Sequence, residues 1–405
     1  MRIQLWSYNY DPEPTGIGPV STILARALHG RGHEVHVVAA HPHYPAPVWG
    51  KRRLPYRERR DSIDVLRLPL WVGRATASER YRQELTFLAA QFAALPAIRR
   101  PDVSVVVSPS FPALFPAIVA HRLRRSPWVL WLHDILPDGA AATGLLDERG
   151  LVVRASRRLE SAAYSQAALI VPLSRAFERN LVDKKVPESK IRIISLPATR
   201  EPRRPLSTDA APPTPQRPWR LLSMGNIGYS QGLAPLVEAF EASDLVSAAD
   251  VRLHITGAGV AAADVRKNVR SDRVQVLGMV SDDALEQQLQ DATIALVSQH
   301  HAGVEFNIPS KLMNFMMYGL PVLAAVKPGS EVAHIIERSG GGWVVDSSQA
   351  DLFPRKVAEL LDRPDEVQER ALAAIRYARE HFSPAAFVDR FESLLTEVAA
   401  AHRAR

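Results

Sequence analysis

Residues 128–138 read WVLWLHDILPD, and the change of character halfway along decides the fold. Trp128 to Leu132 offers no polar face, so a strand made of it must be covered on both sides. Sheets covered on both sides are parallel ones with helices packed on each face. His133, Asp134 and Asp138 come just past the carboxyl end of that strand, where doubly wound proteins place their ligands. VSVVV at 103–107 is a second run of the same kind. Arg2–Tyr8, EVHVVAA at 34–40, Val65–Leu68, Ala168–Pro172 and Ile191–Ile194 extend the strand series, with helical spacing between, as at Val20–Leu28.

Between 197 and 218 the chain reads PATREPRRPLSTDAAPPTPQRP, a proline density that no helix or strand interior tolerates. The grammar then starts again. Strands are expected at Arg220–Met224, Val251–Thr256, Val274–Leu277, Ile294–Val297, Pro321–Ala325 and Gly342–Val345, with helices between, one of them Lys311–Tyr318. The predicted fold is α/β, two doubly wound Rossmann-like domains facing across a cleft. Its parts are residues 1–197, a linker at 198–218, a second domain at 219–378, and a terminal helix at 379–405. Phe387, Phe391, Leu394, Leu395 and Val398 fall on one stripe of that helix.

Length and composition agree with this reading. A chain of 405 residues is too long for one ordinary core. With 46% hydrophobic and 23% charged residues it is globular, which excludes disordered, collagenous and coiled-coil classes. No cysteine is present, so disulfides, zinc–thiolate sites, iron–sulfur clusters and cysteine nucleophiles are excluded. The opening MRIQLWSYNYDPEP lacks the apolar region and cleavage site of a signal peptide. The longest nearly apolar run, Leu85–Ile98, contains Gln91 and Pro96 and falls short of the about 20 residues that span a bilayer. A cytoplasmic protein, soluble or peripheral at the inner face of the membrane, is expected. Charge is lopsided: residues 1–200 carry a net +12 and residues 201–405 a net −5. An anionic partner for the first half follows from that asymmetry. Nucleic acid is not the expected partner, because no helix-turn-helix, RNA-recognition or zinc motif is present.

Four loops carry the candidate chemistry. DPEPTGIGP at 11–19 precedes a helix, and Gly16 and Gly18 let the backbone approach a sugar or an anion closely. A dinucleotide fingerprint would need a third glycine and an acidic residue ending the second strand, and the chain has neither, so nicotinamide chemistry is disfavoured. His133 and Asp134 follow the buried strand, His133 as a partner for a substrate hydroxyl and Asp134 to orient it. GNIGYSQG at 225–232 is a glycine loop before a second helix, suited to a pyrophosphate through Gly225, Asn226, Gly228 and Gln231. In FNIPSKLMNFMMYGLP at 306–321, Ser310 is expected as a helix cap. Lys311 puts a cation where the helix dipole disfavours one unless an anion binds there. Asn314 lies one turn on, on the same face. Asp282-Asp283 reads as a helix start and not as a metal pair.

At these residues the chain resembles the retaining GT-B glycosyltransferases of the family 4 group, most of all the bacterial exopolysaccharide enzymes of the colanic-acid type. TGIGPVSTILARALHGRGHEVHVVAAHPHYP, LHDILPD, GNIGYSQGL and IPSKLMNFMMYGLPVLA occur in order, two per half, each at a strand–helix junction. The resemblance implies a nucleotide sugar on the second domain, an acceptor on the first, and a terminal helix that crosses back to brace the first domain. The family's cationic pair in the glycine loop reads Asn226 and Gln231 here. Its paired glutamates fall at Asn314 and, one residue off, at Glu305. Weight for the diphosphate therefore shifts to Lys311, the loop amides and Lys327.

The resemblance further implies sugar transfer from a nucleoside diphosphate donor with retained configuration, without a metal or other cofactor. His133, Asp134 and Lys311 are the catalytic candidates. Gly225, Asn226, Gly228, Gln231, Glu305, Ser310 and Asn314 are the donor-binding ones, and Gly16 and Gly18 face the acceptor. A polyprenyl-linked or other glycan acceptor at an anionic inner membrane surface fits the basic first half. Arg80, Arg82, Arg99 and Arg100 flank an apolar centre in Glu79–Arg100, as in an interfacial helix; packing of the same helix in the core is the alternative. A nucleotide-sugar epimerase of the same fold and a non-catalytic nucleotide-sugar binder also stay open.

Overall fold

The structure is a computed structural model that describes the chain apart from residues 15, 44–53, 74–75, 109–113, 134–150, 205, 210–213, 248–249, 303–307 and 405, with the backbone alone at 77, 80 and 151–156. The chain divides into two compact units, Met1–Ser195 with Phe387–Arg405, and Leu196–Ala386.

In the first unit the strands are β1 (Arg2–Ser7), β2 (Glu34–Ala40), β3 (Tyr56–Arg60), β4 (Ile63–Leu68), β5 (Val103–Ser108), β6 (Trp128–Leu132) and β7 (Leu169–Pro172). They form one sheet in the order β3-β4-β2-β1-β5-β6-β7. β3 pairs antiparallel with β4, and every other pairing is parallel. Without β3 the order is that of a doubly wound nucleotide-binding sheet, whose direction of winding reverses between β1 and β5. All five residues of β6 are buried, as a strand without a polar face requires. The helices are α1 (Gly18–Gly30), α2 (Ala77–Ala94), α3 (Leu114–Arg124), α4 (Leu151–Gln166) and α5 (Arg175–Asp183).

The second unit repeats the design with a six-stranded parallel sheet. Its strands are β8 (Trp219–Met224), β9 (Val251–Thr256), β10 (Val274–Gly278), β11 (Ile294–Ser298), β12 (Val322–Val326) and β13 (Gly342–Asp346). Their order is β10-β9-β8-β11-β12-β13, so the winding reverses between β8 and β11. The helices are α6 (Leu233–Ala242), α7 (Ala262–Lys267), α8 (Asp282–Asp291), α9 (Ser310–Met317), α10 (Glu331–Ser339), α11 (Leu352–Leu361) and α12 (Pro364–His381). Alternate residues of one strand enter opposite cores: Ile294 and Leu296 of β11 join one, Ala295 and Val297 the other. That alternation is why the strand reads as a continuous apolar run.

Three sequence expectations change. Ile191–Ile194 is not a regular strand, but it runs along β7: Ile191 bridges to Ile170, and the Arg192 and Ile194 amides donate to the Ile170 and Pro172 carbonyls at 3.0 and 3.1 Å. Residues 198–218 are not a free linker: Ala198 is fully buried, its amide donates to the Phe382 carbonyl at 2.8 Å, and the Arg376 guanidinium donates to the Thr208 carbonyl at 2.6 Å. Proline prevents a regular element here but not docking on the unit's surface. The terminal helix, α13, runs Pro384–Arg403 and not from 379, because α12 occupies the chain up to His381. Phe387 and Phe391 of α13 pack against Trp131 of β6 with ring centres 5.6 and 4.8 Å away.

Candidate functional site

In the second unit, the loops that follow β8, β9 and β10 lock together through backbone alone. The Gly225 amide donates to the Thr256 carbonyl at 2.8 Å, the Ile227 amide to Ala258 at 2.9 Å, and the Gly257 amide to Gly278 at 2.8 Å. A Cβ on Gly257 would lie 1.8 Å from the Gly225 oxygen, and one on Gly259 would lie 2.3 Å from the Ile227 oxygen. Gly225 (φ +99°) and Gly257 (φ +137°) also hold backbone conformations that side chains disfavour. Gly257 and Gly259 escaped the sequence reading. Their signal was present: Thr256-Gly-Ala-Gly259 repeats, after β9, the Gly-x-Gly spacing of Gly16 and Gly18 after β1.

The β8 loop closes across the winding reversal, where the His300 amide donates to the Ser230 carbonyl at 2.8 Å. α6 begins at Leu233 after Gly232 in the left-handed conformation, and α9 begins at Ser310 on the same end of the sheet. Asn226 is exposed on this loop. Gly228 and Gln231 serve the loop itself, since the Gly228 amide donates to Gln231 Oε1 at 2.7 Å. Gln231 thus braces the turn through its Oε1.

α9 brings the charge. Leu312 to Met317 are all buried, so the helix is gripped along its length and its first turn is fixed. Pro309, not Ser310, occupies the capping position; Ser310 is the first helical residue and is exposed, which corrects its expected role. Lys311 Nζ is shut off from solvent with no hydrogen-bond partner among the described residues. Burial pushes its pKa down to about 8. A buried cation without a counter-charge, in the first turn of a helix whose free amides also attract anions, is a place for a negatively charged group.

Asn314 does not accompany it. Its Oδ1 accepts from the Thr199 amide at 2.8 Å and the Arg200 amide at 3.1 Å, and its Nδ2 donates to Thr199 Oγ1 at 3.3 Å. The expected contact with the donor gives way to a tie between α9 and the segment that enters the second unit. Glu305 lies outside the described residues. Asp282 and Asp283 stand in the first turn of α8, capped by Ser281, and pair with Arg200 and Arg203.

In the first unit, His133 ends β6 against Trp131, with ring centres 4.5 Å apart. Its Nε2 is enclosed with no partner among the described residues, and burial pushes its pKa down to about 3. The ring is neutral at pH 7, which suits hydrogen bonding to a hydroxyl and not charge stabilisation. Asp134 lies outside the described residues.

Gly16 holds φ +67°, and a Cβ on Gly18 would lie 2.7 Å from the Glu13 oxygen. The loop they belong to is organised by Glu13, which the sequence reading passed over between its two prolines. The Glu13 carboxylate is fully buried; it accepts from Asn9 Nδ2 at 3.0 Å, the Tyr10 amide at 3.3 Å and the His43 amide at 3.0 Å. His43 Nδ1 lies 3.4 Å from it and 2.9 Å from the His41 carbonyl. The loops after β1 and β2 are thus held together by one carboxylate.

Residues 15–197 match the family described as Glycosyl transferase 4-like domain, and residues 218–363 match Glycosyl transferases group 1. The chain is 26% identical over 359 residues to WcaI of Escherichia coli (strain K12), named for colanic acid biosynthesis as a glycosyl transferase; the match covers 84% of this chain and 87% of that one. It is 27% identical over 288 residues to the glycosyltransferase WbjE of Pseudomonas aeruginosa, covering 68% and 69%. Among solved structures, HepE of Anabaena in complex with UDP-glucose superimposes with a TM-score of 0.68 at 14% identity, over 98% of this chain and 100% of that one.

Proposed function

Because the chain belongs to the GT-B glycosyltransferases of the family 4 group, we propose that it moves a hexosyl unit from a nucleoside diphosphate sugar to a saccharide acceptor, with retention, in the synthesis of an exopolysaccharide. The observation that carries this reading is Lys311, an enclosed ammonium with no partner among the described residues, at the start of α9 on the same end of the sheet as the glycine loop. The diphosphate is the group it awaits. As the bond from the anomeric carbon to the phosphate oxygen breaks, negative charge grows on the diphosphate, and Lys311 with the amides of the first turn stabilises it. The acceptor oxygen bonds to the anomeric carbon, and its proton passes to the departing phosphate. Neither a metal nor a protein base enters this scheme. His133, neutral, takes the hydroxyl of a sugar as hydrogen-bond partner.

Support for a uridine donor comes from HepE, whose structure holds UDP-glucose. Support for an exopolysaccharide product comes from WcaI.

The acceptor is a lipid-linked glycan, and the enzyme works at an anionic membrane surface. No helix of the described residues is long and apolar enough to cross a membrane. Instead α2 carries apolar side chains on two faces: Phe87 is buried in the core beside Gln83 and Gln91, while Tyr81, Leu85 and Phe92 are exposed at 46%, 59% and 39%. Exposed Arg99 and Arg100 follow it. An apolar stripe with arginines at its end is the pattern of a helix lying in a lipid interface.

The test is thermal unfolding with UDP, GDP, ADP and dTDP and their sugars, with and without magnesium. A ligand at 100 times its Kd adds roughly 2.7 kcal/mol. A shift with one nucleotide family, unchanged by magnesium and lost in Lys311→Met, supports the donor site. No shift with any of them overturns it. Product formed from donor alone would identify an epimerase, and binding without turnover on any glycan acceptor would identify a binder.

A further inference from the structure

A second cationic site lies in the first unit, far along the fold from the carboxyl ends of the strands. α4 ends at Gln166, just before β7 begins, and α5 returns the chain to Lys184. Ile191 then bridges to Ile170 in parallel, which sets residues 184–190 beside the amino-terminal end of β7. Between α4 and this return lies a cavity of about 610 Å³. His133, by contrast, follows the carboxyl end of β6.

The floor of the cavity is built and neutral. Glu160, 3% exposed, accepts from the Tyr164 hydroxyl at 2.7 Å and from Lys184 Nζ at 2.8 Å. Lys190 Nζ donates to the carbonyls of Ser165 at 2.7 Å and Ala167 at 3.1 Å, and so caps the end of α4. The single carboxylate is therefore answered by Lys184, while Lys190 keeps its full charge. Arg157 and Lys185, on opposite walls, have no hydrogen bond or ion pair among the described residues. Arg157 and Ser161 stand one turn apart on the same face of α4. Lys185 is held at φ +65°, by its amide bond to the Val182 carbonyl at 2.8 Å. That conformation is uncommon for any residue with a Cβ and costs the fold something to keep.

We infer that this cavity is an anion subsite, which takes a phosphoryl group between Arg157 and Lys185, over Lys190. Three cationic side chains beyond the neutralised pair, one of them a guanidinium with a planar array of donors, match the charge and shape of a phosphate monoester or a phosphodiester headgroup. Ser161 adds a hydroxyl donor on the same wall. The site is separate from the one around Lys311 and independent of what that one binds.

The test uses the full chain in a Lys311→Met background, so that changes at the cavity are read apart from the donor site. Two probes are used: inorganic pyrophosphate by titration calorimetry, and sedimentation with vesicles of phosphatidylglycerol and phosphatidylethanolamine, with phosphatidylcholine vesicles as the neutral control. The double variant Arg157→Gln/Lys185→Gln is expected to weaken at least one probe by about tenfold or more. Lys185→Gly removes the charge and relieves the backbone, so it should weaken binding while the Tm holds or rises. A structural role alone would not separate these two readouts. Loss of pyrophosphate binding identifies a soluble phosphorylated ligand, and loss confined to anionic vesicles identifies a lipid headgroup. If both variants bind both probes as the background protein does, or if that protein binds neither, the subsite does not exist.

Discussion

At pH 7 the Lys311 ammonium sits where burial favours its neutral form, and no carboxylate among the described residues compensates. With a folded pKa of about 8 against 10.5 unfolded, this one group costs the apoprotein roughly 3 kcal/mol below pH 8. The unfolded chain binds the extra proton between pH 8 and 10.5, so the group's penalty fades as pH rises through that window. Lys311→Met should therefore raise stability in denaturant titrations at pH 7, by up to roughly 3 kcal/mol, and abolish the donor-induced shift. An unchanged or lower stability would show that the ammonium is solvated after all. In the parent protein donor affinity should fall as pH rises through about 8, because the neutral amine no longer meets the diphosphate. His133 has a dependence of the same sign in a lower window. Its pKa of about 3 lies below the ordinary 6.5, so the unfolded chain takes up a proton as pH falls from 6.5 towards 3 and stability drops. His133→Gln should flatten that acid limb in Tm measured from pH 7 to pH 4. The sequence exposed Lys311 because a cation in a first helical turn conflicts with the dipole. It hid the partners of Asn314, Thr199 and Arg200, because they lie 115 and 114 residues away in the chain.

The strand–helix alternation was legible because each buried strand reads as an apolar run, β6 and β11 most plainly. β3 was not: its sequence YRERR holds four charges in five residues. It exists because Tyr56–Arg60 folds back on β4, with Arg67, fully buried, donating to Glu58 at 2.8 Å. A tertiary ion pair, not a local propensity, makes that strand. The loops after β8 and β9 show the reverse case, where an element is set by the absence of side chains. Gly257→Ala places a methyl group 1.8 Å from the Gly225 oxygen at φ +137°. Its expected cost is about 2–4 kcal/mol in urea unfolding, from strain and overpacking together. The larger effect should be loss of nucleotide binding, since the β8 loop must move to admit the methyl. A Gly257→Ala protein that binds the donor normally would show that the loops are not rigidly joined.

The first unit is completed by Phe387–Arg405, which follow the second unit in the chain. Phe387 and Phe391 of α13 are both fully buried there, and Arg31 and His33 pair with Glu392. A chain ended at Ala386 should lose stability in the first unit and keep the nucleotide-dependent transition of the second. Differential scanning calorimetry with and without nucleotide distinguishes the two. Phe391→Ala alone should cost about 3–5 kcal/mol, whereas Arg31→Ala, at an exposed ion pair, should cost under about 1 kcal/mol. The stripe Phe387–Val398 was readable as one face of a helix, but the sequence could not mark where α12 stops and α13 starts. Both are amphipathic, and only Phe382 and Ser383 separate them.

This arrangement also sets an order of events on the ribosome. The first two hundred residues emerge first, yet Trp131 of β6 lacks the Phe387 and Phe391 rings that pack on it until the end of the chain has been made. At about 5–20 residues per second, synthesis of Leu196–Ala386 takes roughly 10–40 s. Through that interval the nascent first unit lacks the contacts of α13, while the second unit, contiguous in the chain, can already close. The unit born first is thus the last to finish folding, and during translation it is the natural client of a chaperone.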